Sequence, residues 1–99
     1  MKPLDRYCLA LVAKADEGDD QGSICSDVVR GLAWQYDRRH EHATVAKRLS
    51  DLRAAGLIRR VGMRRSELTK QSQTAYSATA RGRRLLARLA EPEHKEDVA

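Results

Sequence analysis

The stretch TVAKRLSDLRAAGLIRRVG, residues 44–62, constrains this chain most. Up to Ala55 its apolar residues recur at helical spacing. At about 100° per residue, Val45, Leu49 and Leu52 form one stripe, and Thr44, Lys47, Arg48 and Asp51 cluster on a different face. Gly56 is the stop, because glycine takes the left-handed backbone that ends a helix, and Leu57 can fold back as a hydrophobic cap. LIRRVGM then has strand character and carries cations. A helix buried along so narrow a stripe needs other elements to cover it, and its polar face is left over for another use.

Those other elements are visible on either side. Pro3 suits an early helical position. Leu4, Tyr7, Cys8, Leu11, Val12 and Ala15 share one helical face, which gives a first helix over residues 3–17. Leu9 falls off that face, as a surface leucine or a dimer contact. EGDDQG breaks the pattern. Residues 23–25 suit a short strand, and Ser26 suits an N-cap with Asp27 at the positive end of a helix. Val28, Val29, Leu32 and Tyr36 give that second helix a core face over residues 27–36, with Trp34 off the stripe as partial core or a protein contact. DRRHEH separates it from the third helix, residues 43–55, where Arg53 points nearer the core side.

Residues 57–78 read as a long hairpin with a basic tip, RRSELTKQSQ, and TAYSA as its returning strand. Thr79 caps a last helix, ARGRRLLARLA, with Leu85, Leu86 and Leu89 on its apolar side. Residues 91–99 are acidic, contain Pro92 and lack an apolar face, which predicts a flexible tail after a domain of residues 1–90.

Charge follows the same division. Residues 1–37 carry a net charge of −3, residues 38–90 carry +11, and residues 91–99 carry −3. A basic segment of this kind is a candidate footprint of a polyanion-binding surface, with a solvated charged face as the alternative that charge alone leaves open. Within it Arg59, Arg60, Arg64, Arg65 and Lys70 place five cations in twelve residues, opposed by Glu67. Arg59 and Arg60 point to opposite faces of a strand, so they cannot touch one ligand equally.

Several classes find no support. No stretch approaches the ~20 apolar residues of a membrane span, and the start lacks the pattern of a signal peptide, so the expected location is cytoplasmic and no membrane is expected. Cys8 and Cys25 are then expected as reduced thiols rather than a disulfide. His40, Glu41 and His42 lack the spacing of a zinc site, and no nucleophile, carboxylate pair or phosphate loop stands out. No metal, cofactor or enzyme activity is expected.

The order helix, short strand, helix, helix, hairpin, helix resembles a winged helix-turn-helix domain, an α+β fold, most similar to the PadR and MarR groups. TVAKRLSDLRAAGLIRR resembles their recognition helix and following strand. YSATARGRRLL resembles their returning wing strand and next helix, with its Thr-x-x-Gly-Arg pattern. Three features depart from those groups: the wing has no Asp to match the Asp–Arg brace of many MarR-type wings, the C-terminal dimerisation helix is short, and WQYDRRHEH is a long inter-helix link.

The resemblance implies a sequence-specific regulator of double-stranded DNA. Thr44, Lys47, Arg48 and Asp51 would face the major groove, where Lys and Arg donate to guanine and Asp accepts from cytosine. The wing cations, Arg64 and Arg65 above all, would lie on the backbone or minor groove. A homodimer is expected through residues 3–17 and 80–90, using Leu9, Leu85, Leu86 and Leu89. The competing reading is a small phage-like module of the same fold whose partner is a host protein or nucleic-acid complex that it inhibits.

Overall fold

The computed structural model of the 99-residue chain describes residues 1–18, 22–67 and 69–90. The elements are α1 (Pro3–Gly18), α2 (Cys25–Tyr36), α3 (His42–Ala54), β1 (Ile58–Arg65), β2 (Ser72–Ala78) and α4 (Ala80–Ala90). The expected acidic tail, residues 91–99, lies outside the described residues. No helix among the described residues is long and apolar enough to cross a membrane.

Helix α1 is the spine, in contact with α2, α3, β2 and α4. That placement corrects the reading of Leu9. It is neither a surface leucine nor available for a dimer contact, because its side chain is fully buried in the core with Cys8 and Val12. A helix covered from several sides has no solvent face along those positions, and one apolar stripe understates how much of it is buried. The C-terminal end of α1 is tied down by Asp16, whose Oδ2 accepts from Ser77 Oγ, the Ala78 N–H and Arg83, each at 2.9 Å.

Helix α2 begins at Cys25, two residues before its expected start, with Ile24 as the N-cap residue. Ser26 therefore does not cap the helix. Instead the Gln73 side chain, reaching from β2, accepts from the Ser26 N–H at 3.0 Å, and Asp27 Oδ2 reaches back to the Ile24 N–H at 3.4 Å. The helix ends with Asp37 in the left-handed region (φ 54) and the Arg38 N–H bonded to the Leu32 carbonyl at 3.0 Å. The long link is thus the loop of residues 37–41. Tyr36 stacks on Tyr7 with ring centroids 4.3 Å apart, and Arg38 lies over Tyr7 at 5.0 Å. Trp34 is on the surface, 82% exposed. Arg53 is exposed rather than turned to the core.

Val45, Leu49 and Leu52 of α3 are buried as their spacing requires. The helix closes with two bonds, Gly56 N–H to the Arg53 carbonyl at 2.9 Å and Leu57 N–H to the Leu52 carbonyl at 3.0 Å. This pairing needs a left-handed residue at Gly56, where φ is +78. Strands β1 and β2 pair antiparallel from Ile58 opposite Ala78 to Arg65 opposite Ser72, with a bulge between Arg60 and Gly62. The expected strand at residues 23–25 reduces to one bridge, Ser23 to Tyr76, made by two 2.8 Å backbone bonds.

Four chain segments meet where the hairpin joins α4. Thr79 Oγ1 donates to the Gly56 carbonyl at 2.7 Å and accepts from the Gly82 N–H at 3.0 Å, while the Thr79 N–H donates to the Leu57 carbonyl at 3.0 Å. A Cβ at position 82 would stand 2.1 Å from that Leu57 oxygen and 3.2 Å from Leu9 Cδ1. Gly82→Ala should therefore cost about 1–3 kcal/mol, the usual penalty for overpacking. That outweighs the better helix propensity of alanine. A thermal melt checks this: the midpoint should fall by several degrees, and an unchanged or raised midpoint would contradict the contact.

Candidate nucleic-acid interface

Helix α3 and the hairpin stand on either side of an open groove of about 570 Å³. Its helical wall is Ala43, Ala46, Leu49 and Ser50; its wing wall is Met63, Thr69, Gln71, Ser72, Gln73 and Thr74; Cys25, His42 and Tyr76 close one end. The walls carry apolar, hydroxyl and amide groups, and the arginines and lysines of α3 and the wing lie outside them.

The β register sorts those cations. Side chains directly opposite one another in an antiparallel pair share a sheet face. Arg60 opposes Tyr76, and Met63 opposes Thr74. Tyr76, Met63 and Thr74 line the groove, so Arg60 belongs to the groove face, and Arg65, opposite the groove residue Ser72, joins it. Arg59 opposes Ser77, whose Oγ bonds to Asp16 of α1, and Arg64 opposes Gln73, whose amide bonds to Ser26 of α2 while its edge borders the groove; these residues belong to the face turned to α1 and α2. The bulge after Arg60 keeps two arginines on the groove side. Lys70, exposed near the hairpin tip, takes a left-handed backbone with φ 62.

Arg64 is committed to the fold. Its guanidinium donates to Asp27 Oδ2 at 2.9 Å and to the Gly22 carbonyl, and its side chain is 28% exposed. The wing's missing Asp is thus supplied from α2, which braces the hairpin with an acid that the wing sequence does not contain. Arg64 was a leading sequence candidate for a nucleic-acid contact, and its charge is already neutralised here. Arg48 is also paired, 3.6 Å from Asp5 and 3.7 Å from Asp51. Thr44 and Lys47 are exposed, with no side-chain hydrogen bond or ion pair among the described residues. Asp51 is exposed apart from its Arg48 contact.

Sequence reading missed the polar hub that sets the groove. Ser26, 1% exposed, sits where α2, α3 and the wing meet. Its Oγ lies 3.2 Å from His42 Nε2 and accepts from Gln73 Nε2 at 2.9 Å and from Ser66 Oγ at 3.1 Å. Gln73 also touches Thr69 Oγ1 at 3.3 Å. One small hydroxyl thereby couples the start of α3 to both arms of the hairpin. No local pattern announces it, because the bonded residues are 16 to 47 positions apart.

The cysteines offer no reactive centre. Both are free thiols. Cys8 is pushed up to about 12, first by burial and then by Asp5 and Cys25, and burial also raises Cys25. Neither is a thiolate at neutral pH, so neither is poised as a nucleophile. Among the described residues no group of three or more His, Cys, Asp or Glu side chains could hold a metal ion. Leu85 and Leu86 of α4 are half-buried against the core, and Leu89 is half-buried beyond them.

No protein-family model matches the sequence, and no curated protein matches it. Solved structures do. The chain is similar to Bacillus subtilis PadR in complex with operator DNA, with a TM-score of 0.71 and 17% identity over 91% of this chain, which spans about half (48%) of that protein. It is similar to a PadR-like transcription factor from Bacteroides fragilis, TM-score 0.68 and 21% identity, covering 94% of this chain and 84% of that one. A PadR family transcription regulator from a hypervirulent Clostridium difficile matches with a TM-score of 0.66 and 12% identity, over 98% of this chain and 94% of that one. At these identities the likeness establishes the architecture: the chain has the winged helix-turn-helix fold of PadR-type structures, with the β1–β2 hairpin as the wing.

Proposed function

We propose that the chain is a sequence-specific, double-stranded-DNA-binding transcription regulator that is not an enzyme. The observation that carries this reading is the pairing of an unencumbered helix face with a cationic wing across one groove. Opposite the buried stripe, α3 presents Ala43, Lys47, Ser50 and Asp51, small or polar groups that let the helix backbone approach base edges. Across the groove stand Arg60 and Arg65, with Lys70 near the tip. A major groove roughly 12 Å wide admits one helix, and a phosphate strand would then run between helix and wing. The net charge of +11 on residues 38–90 supplies attraction to any duplex. One of the similar structures is a PadR bound to operator DNA, which supports the same use of this fold.

The reading divides labour among the side chains. Lys47 reads bases. Arg60, Arg65 and Lys70 hold phosphates, and Arg64 holds the wing. Arg59, on the sheet face turned to α1 and α2, stands apart from the groove. A homodimer would place two such faces on a two-fold site. With Leu9 in the core, the dimer surface we propose is α4, centred on Leu89. A protein-binding role is favoured by one observation, the 82% exposure of Trp34 beside Arg30 and Gln35 on α2.

Two outcomes are expected from one titration. In a polarisation titration against a duplex selected from a random library, Lys47→Ala should lose about 1–3 kcal/mol and relax base preference. Arg65→Ala should weaken all duplexes alike and make the salt slope shallower by about one. Absence of any duplex binding at low salt would remove the DNA reading.

Gln73→Ala should lower stability by about 1–3 kcal/mol, because the Ser26 N–H loses its acceptor inside the fold. It should also weaken duplex binding, although Gln73 carries no charge. A melt combined with the same titration checks both effects, and full affinity in a destabilised Gln73→Ala protein would show that the hub does not set the wing.

Sedimentation equilibrium should show a dimer that Leu89→Glu dissociates. A monomer at all micromolar concentrations would refute the dimer.

A further inference from the structure

We propose that Arg48, although it lies on the recognition helix, is a positioning residue held by Asp5 and does not read DNA; this rests on the DNA-binding reading above. The first observation is angular. At about 100° per residue, Lys47 lies about 165° from the centre of the Val45–Leu49–Leu52 stripe and Arg48 only about 65° from it, on the flank of the helix. The second is the partner. Arg48 Nη1 stands 3.6 Å from Asp5 Oδ1 of α1 and 3.7 Å from Asp51 Oδ2, with the Arg48 side chain 21% and the Asp5 side chain 18% exposed.

The third observation decides between a tether and a ligand. Asp5 Oδ1 is buried and accepts no hydrogen bond among the described residues. This oxygen has lost water, and the Arg48 cation beside it compensates. If Arg48 swung into a groove of DNA, that oxygen would be left buried beside no cation. Removing the cation from a half-buried pair that holds a desolvated oxygen is unfavourable, so the DNA contact would have to offset it. Lys47, one residue earlier, faces no such penalty. The pair therefore fixes how α3 sits on α1, and Asp5, remote in sequence from the recognition helix, helps determine specificity by setting the angle at which Lys47 is presented.

The test uses the full chain and two duplexes: one selected by the wild-type protein from a random library, and a scrambled duplex of the same composition. Arg48→Gln and Asp5→Asn are measured singly and together, with Lys47→Ala beside them. The isosteric Asp5→Asn keeps the test open if Arg48→Gln fails to fold at the assay temperature. On this proposal both single variants lose about tenfold in affinity for the selected duplex, the scale of one well-placed base contact. They keep wild-type affinity for the scrambled duplex and the wild-type salt slope. The double variant is no worse than either single one, because both act through the same pair. Arg48→Lys, which retains the cation, restores part of the preference. A loss of stability alone would leave the ratio of the two affinities unchanged, and that result would overturn the proposal. So would a salt slope shallower by about one in Arg48→Gln together with an unaltered preference in Asp5→Asn, which would make Arg48 a phosphate ligand. Wild-type protein that binds neither duplex would instead overturn the DNA-binding reading itself.

Discussion

The base of the groove depends on a place with no room for a side chain. At Gly82 the backbone of α4 meets the Leu57 carbonyl so closely that a Cβ would stand 2.1 Å from it. Thr79, three residues earlier, bonds to Gly56, Leu57 and Gly82 at once. The end of α3, the start of β1, the end of β2 and the start of α4 are thereby fixed to one another. Because α3 ends at that junction and the wing begins there, the angle between α3 and the hairpin is set at the base. Leu9 of α1 lies directly beneath, which is why the spine helix is buried on the side where its pattern promised solvent.

The far end of the groove is set by different forces. The Gly82 junction is steric, whereas the Ser26 hub and the Arg64–Asp27 pair are polar and partly buried. Polar networks of this kind impose geometry because a displaced member leaves another unsatisfied. The wing is consequently anchored at two places, to α4 and α1 at its base and to α2 midway along. Of the wing arginines, Arg64 serves as an anchor, while Arg60 and Arg65 stay on the groove side. The same split appears on α3, where Arg48 is paired with α1 and Lys47 is not. A count of cations overstates the number that can meet a ligand, since the fold consumes some of them.

Much of the fold was legible because its signals are local. The 3.6-residue spacing of Val45, Leu49 and Leu52, the stop at Gly56, the cap at Thr79 and the two-strand hairpin are each specified within a few residues. The Thr-x-x-Gly-Arg pattern carried the family likeness, and its Thr and Gly form the junction that has no room for a Cβ. The site was less legible because its partners are distant in the chain. Asp27 meets Arg64 across 37 positions and Ser26 meets Gln73 across 47. Nothing at Arg48 distinguishes it from Lys47 in a one-dimensional pattern; only the side of α3 that α1 covers does so. Leu9 was misread for the same reason, since a helix surrounded by other elements looks amphipathic when only one of its faces is counted.

On the proposed function, α3 and the wing together form the duplex-binding face. Nuclear magnetic resonance titration of the isotope-labelled chain with a selected duplex tests it most directly. The account predicts the largest amide shifts at Ala43, Lys47, Ser50, Arg65 and Lys70, with little change at Trp34 on α2 or along α4. Shifts centred on Trp34 or α4, with α3 and the wing undisturbed, would contradict it.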